Sequence, residues 1–126
     1  MTVIDIIYKI IYCETHKFCS SQNLKKYIFL IATAFGDGVY FAVNAGYSAS
    51  DTYSKPDPQG LKRMYLCNVL TGEYTKGQSG MRVPPTKPGQ QAHILYDSVV
   101  ENPTNPGMFI IFNDTQAYPS FLITFK

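Results

Sequence analysis

Apolar residues along this chain fall into short runs separated by glycine, proline and polar clusters, a spacing that predicts a sheet-rich domain. Strands are expected at residues 39–43, 61–70, 73–76, 81–83, 93–100, 108–112 and 120–125. In the first of these, alternation puts Tyr40 and Ala42 on one face and Val39, Phe41 and Val43 on the other. The runs MFIIF and FLITF are apolar with little alternation, the pattern of central strands covered on both faces. The polar, proline-bearing stretches SKPDPQG (residues 54–60) and PPTKPGQQ (residues 84–91) read as loops, the second long enough to meet a substrate.

Residues 1–32 have another texture, rich in Ile, Lys and Tyr and free of Gly and Pro. Val3, Ile6, Ile7, Ile10 and Ile11 recur at helical spacing, which predicts a helix although β-branched residues favour strands. Asp5, Lys9 and Glu14 break the apolar stretch and residues 28–31 are too short to span a bilayer, so neither a transmembrane helix nor a secretory signal is expected. His16 has no partner cluster and reads as an exposed loop histidine. The architecture that follows is α+β, with a mixed, mainly antiparallel twisted sheet.

The length of 126 residues bounds the chain to one modest domain, and 45% hydrophobic and 14% aromatic residues make it globular and β-leaning. A net charge of +2 without a Lys or Arg run supports neither a nucleic-acid footprint nor a membrane-surface patch. Cys13, Cys19 and Cys67 are odd in number and lack metal-ligand spacing, which suits a reducing, intracellular compartment.

The chemistry concentrates in residues 36–53, GDGVYFAVNAGYSASDTY. Gly36 and Gly38 relax the backbone on either side of Asp37, so the chain can turn tightly and a ligand can approach the main chain. Tyr40 and Ala42 then form a wall that could hold a flat ring. The small residues of AGYSAS bring Ser48 and Tyr53 back over the strand, adding a hydroxyl and a second aromatic plane. Taken singly, such a tyrosine is more often a core or rim residue and such a serine a helix cap. The glycines do not form a dinucleotide-binding fingerprint or a phosphate loop. Ser48, His93 and Asp97 are a nominal hydrolase set, but no nucleophile elbow surrounds Ser48.

This segment resembles the nicotinamide-pocket segment of the PARP-type ADP-ribosyltransferases, and YDSVVENP and QAYPSFLITFK resemble the C-terminal strands of the macrodomain-bearing, mono-ADP-ribosylating branch. The resemblance runs over residues 33–126, as the C-terminal part of a catalytic domain, and leaves residues 1–32 as a segment outside it. It implies the ADP-ribosyltransferase sheet, incomplete at its N-terminal side. It also implies NAD as substrate without a metal, and pentosyl transfer to acceptor proteins with release of nicotinamide. No direct nucleic-acid or membrane partner follows from it, and the location implied is the nucleus and/or cytoplasm.

By the same resemblance Tyr40 and Tyr53 sandwich the nicotinamide ring, Ser48 Oγ bonds its carboxamide, and Ala42 leaves room for that amide. Tyr47 lines the pocket and Gly38 belongs to the cofactor-binding turn. In the family's His-Tyr-Glu triad, Tyr40 takes the second place and Met108 the third, where a thioether replaces the carboxylate and implies transfer of single units. The family's His-Gly-Thr is absent, because neither His16 nor His93 is followed by Gly, and Asp37 stands where a basic residue is common. These departures imply a truncated chain that is weak or inactive. The alternative is a non-catalytic interaction module derived from such a domain.

Overall fold

The computed structural model describes residues 34–126 and, as a strand, residues 6–11. Among the described residues seven strands form one sheet: β1 (Ile6–Ile11), β2 (Val39–Ala42), β3 (Lys62–Leu70), β4 (Tyr74–Lys76), β5 (Ser98–Val100), β6 (Met108–Ile111) and β7 (Ala117–Phe125). A single short helix among the described residues, α1 (Ala45–Ala49), follows β2, and a 3-10 turn (Asp114–Gln116) precedes β7. The spatial order is β4-β5-β6-β2-β1-β3-β7, and every neighbouring pair is antiparallel except β4 with β5. The sheet is therefore mixed and mainly antiparallel.

The helix expected from the isoleucine spacing does not form where the chain is described. Residues 6–11 are instead an interior strand, paired with β3 from Ile6↔Leu70 to Ile11↔Tyr65 and with β2 at Ile10↔Ala42. The β-branched propensity and six residues of ladder outweigh a helical period that so short a segment only samples. Val3, Cys13, His16, Cys19 and residues 28–31 lie outside the described residues.

β6 is central and buried, as its apolar run predicts, lying between β5 and β2 with Phe109, Ile110 and Ile111 shielded from solvent. β7 departs from the expectation. Among the described residues it pairs with β3 alone, at the edge of the sheet, and Tyr118, Phe121 and Leu122 are exposed. An unalternating apolar run reveals how little polarity a strand carries, not whether anything covers it. The strands expected at 81–83 and 93–100 also shrink. The first is absent, and the second is Ser98–Val100, because the preceding residues turn back to make a lone bridge between Thr86 and Leu95.

The core lies between β2, β3 and β6. Phe41, Cys67, Val69 and Ile111 pack together, with Val39, Tyr65 and Ala117 against them. Phe41 and Val39 share one face of β2 as the alternation predicts, which leaves Tyr40 and Ala42 on the other. Full burial of each large apolar side chain contributes about 1.5–3 kcal/mol, so this cluster fixes β2 and, through it, the segment that follows.

Candidate functional site

The site is built outward from the glycine turn that leads into β2. Gly36 has φ +136°, a backbone conformation that side-chain-bearing residues rarely adopt. A Cβ at Gly38 would meet Ile111 O at 2.6 Å and Ile110 Cγ2 at 2.7 Å, so the missing side chain lets the turn press against β6. Asp37 N donates to Met81 O at 2.7 Å, tying the turn to the loop that replaces the expected strand.

Tyr40 closes this turn with its own side chain. Its hydroxyl donates to Gly36 O at 2.8 Å and accepts from Phe35 N at 3.1 Å. The ring is thus anchored at both ends, by the strand and by the turn. Burial, with the Asp37 charge nearby, holds the Tyr40 phenol above its ordinary pKa, and it stays neutral at physiological pH. Two residues on, the buried Ala42 pairs with Met108 across β2 and β6, as Tyr40 pairs with Ile110. The β2 and β6 residues therefore present Tyr40, Ala42, Met108 and Ile110 on one face of the sheet.

α1 is formed by the small residues that follow Asn44. The Asn44 side chain accepts from Gly46 N at 2.8 Å, satisfying an otherwise unpaired donor of the first turn. Ser48 is the buried residue of this helix and Tyr47 an exposed one. Lys62 Nζ donates to Ala49 O at 3.0 Å and pairs with Asp51, which fastens the end of α1 to the start of β3. Ser54 Oγ donates to Arg63 O at 3.1 Å and continues the same attachment. Tyr53, between these two fastenings, stacks on Tyr47 with ring centroids 4.8 Å apart and an interplanar angle of 25°. Their hydroxyls meet at 2.6 Å.

Of the residues singled out in the sequence, Tyr47 and Tyr53 are in direct contact, and Ala42 and Met108 are paired partners. Gly38, Tyr40 and Ser48 sit on the turn, the strand and the helix that join them. His93 lies exposed in the 84–97 loop, and the Asp97 carboxylate of the nominal hydrolase set accepts from Glu73 N at 2.8 Å.

Two contributors escaped the sequence reading. Glu101, in the β5–β6 connection, accepts from Gly107 N at 2.5 Å and from Met108 N at 3.0 Å. Gly107 O in turn accepts from Val43 N at 2.9 Å, so the carboxylate steadies the loop lying against the β2–α1 junction. Gln116 Nε2 donates to Leu70 O at 3.1 Å and to Asp97 O at 2.8 Å, clasping the end of β3 to the entry of β5. An acid opening a proline- and glycine-rich loop is the one signal that pointed to Glu101. Nothing in the sequence distinguishes Gln116.

An anchored aromatic ring, a buried hydroxyl and an aromatic pair thus follow one another on successive elements after the glycine turn. Human protein mono-ADP-ribosyltransferase PARP14 is 54% identical over 95 residues, 75% of this chain and 5% of that protein. Mouse protein mono-ADP-ribosyltransferase PARP10 is 45% identical over 94 residues, 75% of this chain and 10% of that protein. The PARP domain of Arabidopsis RADICAL-INDUCED CELL DEATH1 superposes with a TM-score of 0.65 over 98% of this chain and 68% of that chain, at 20% identity. No profile of a known protein family matches the chain. The chain belongs to the PARP-type ADP-ribosyltransferases. It spans a small fraction of the length of these curated relatives, 5% and 10%.

Proposed function

We propose that this chain binds the nicotinamide end of NAD and belongs to a protein mono-ADP-ribosyltransferase, with residues 33–126 forming the C-terminal part of the catalytic domain. The observation that carries the reading is the succession of the Gly36–Gly38 turn, the doubly bonded Tyr40, the buried Ser48 and the stacked Tyr53. Tyr40 and Tyr53 would flank the ring, and offset aromatic stacking adds about 0.5–1.5 kcal/mol per pair beyond area burial. Ser48 Oγ would bond the carboxamide, Ala42 would leave it space, and Tyr47, stacked on Tyr53, would line the pocket.

In the reaction the bond between ribose C1′ and the nicotinamide nitrogen breaks, and its electron pair leaves with the ring, which becomes neutral. An acceptor side chain forms the new bond at C1′ and releases its proton to solvent. The transition state resembles an oxocarbenium ion, so the protein contributes by positioning and electrostatics more than by proton transfer. Met108, a thioether, can neither bind a ribose hydroxyl strongly nor act as a base, which favours single-unit transfer. The partners are NAD and acceptor proteins of the nucleus or cytoplasm.

The missing His-Gly-Thr favours slow turnover by this chain, and it is also what favours the second reading, a non-catalytic interaction module. Incubation with labelled NAD and resolution on a gel separates the outcomes. A single faint band of modified protein fits the enzyme reading, long ladders overturn single-unit transfer, and absence of both NAD binding and label leaves the interaction module.

A further inference from the structure

The proposed pocket is lined by groups that share one electrostatic character. The Tyr47 and Tyr53 rings present π faces, which attract cations. Next to Met108, in the β5–β6 connection, lies a carboxylate that the reading of the ring site does not use. Glu101 is held by two backbone N–H groups, those of Gly107 and Met108, and cannot swing freely into solvent. A Cβ on Gly107 would come within 2.7 Å of Glu101 Oε1, so the glycine makes room for the acid. The same loop reaches the pocket elements directly, through Gly107 O to Val43 N on the way into α1 and through Met108 paired with Ala42.

We infer that Glu101 is a specificity-determining residue whose fixed negative charge, acting with the tyrosine faces, makes the pocket prefer a positively charged aromatic ring over a neutral one of the same shape. The inference rests on the nicotinamide-site reading and deepens it. The ring of oxidised NAD is a pyridinium cation and the ring of the released product is neutral nicotinamide. A carboxylate at this place therefore favours substrate over product, and helps the ring leave once its charge is gone. After the hydrogen bond to Tyr53 and burial, the charge on Glu101 adds a small part to the raising of the Tyr47 phenol. A charge acting across a partly solvated gap is worth a factor of about three to ten in affinity.

The test is a calorimetric titration of the full chain with two probes, nicotinamide and the 1-methylnicotinamide cation, in the wild type and in Glu101→Gln. The expected result is that Glu101→Gln lowers the cation-to-neutral affinity ratio about three- to ten-fold while nicotinamide binding changes little. Raising the salt from about 0.02 M to about 0.3 M should lower the wild-type ratio too, which tests the idea without a substitution that might loosen the loop. Equal weakening of both probes in Glu101→Gln, with a salt-independent wild-type ratio, overturns the inference and leaves Glu101 as a loop clamp. If the wild type binds neither probe, the nicotinamide-site reading itself fails and takes this inference with it.

Discussion

Tyr47 and Tyr53 are joined twice, by rings stacked at 4.8 Å and by hydroxyls 2.6 Å apart, across the turn that leaves α1. The hydrogen bond to Tyr53, with burial and the Glu101 charge behind it, pushes the Tyr47 phenol up from 10.0 to about 12. The fold thus favours the protonated phenol.

The consequence is an alkaline limit on stability. A group whose folded pKa is raised contributes stability that is fully present below its unfolded value, near pH 10, and is lost as pH rises through its folded value, about 12. Tyrosinate absorbance should show a late-titrating phenol that Tyr47→Phe removes, and the variant should lose less stability across that window. An unchanged titration curve would contradict the pairing.

Gly38→Ala should destabilise the chain by about 1–3 kcal/mol, the usual cost of forcing extra volume into a packed site. The new methyl would press on a backbone oxygen of β6, Ile111 O, which cannot rotate away as a side chain can. Chemical denaturation should report a lower midpoint with an unchanged slope. A midpoint equal to that of the wild type would mean that the glycine turn does not bear on β6 so closely.

Cys67 sits in the core beside Phe41 and Val69, and burial pushes its thiol up to about 12. Alkylating reagents at neutral pH should leave it unmodified in the folded chain and label it once denaturant is added, since the thiolate is the reactive form. Cys67→Ser should cost about 1–3 kcal/mol through an unpaired buried hydroxyl. Rapid labelling under native conditions, located by mass spectrometry of the peptide, would show that the core opens readily.

β7 carries exposed Phe121 and Leu122 on a strand whose described pairing is to β3 alone. Such an edge can recruit another strand. The chain should therefore associate as its concentration rises, and Phe121→Lys should suppress that association in light scattering with little effect on the melting temperature. A wild type that stays monomeric at high concentration would count against an open edge.

Legibility in the sequence followed the kind of signal each residue carries. β2 and the turn into it were readable because the two glycines and the Tyr40–Ala42 alternation are local and agree with one another. Residues 6–11 were not, because isoleucine spacing pointed to a helix while side-chain branching pointed to a strand, and only the ladders to β2 and β3 decide between them. The parallel pairing of β4 with β5 depends on a long excursion through the 77–97 loop, which no short pattern encodes. The order of Tyr40, Ala42, Ser48 and Tyr53 singled these residues out, and they fall on β2, α1 and the turn that follows it. The direct Tyr47–Tyr53 contact and the Glu101 clamp were not, since both depend on how a helix exit and a proline-rich loop close in space.

The most direct measurement is calorimetric titration of the chain with NAD, repeated for Tyr40→Ala and Ser48→Ala. A nicotinamide site built on these residues predicts saturable binding by the wild type and a loss of about tenfold or more in each variant, since each removes a stacking face or a hydrogen bond worth roughly 1–2 kcal/mol. Both variants should keep a cooperative melting transition. No saturable heat with the wild type, or equal NAD affinity in wild type and both variants, would contradict the account.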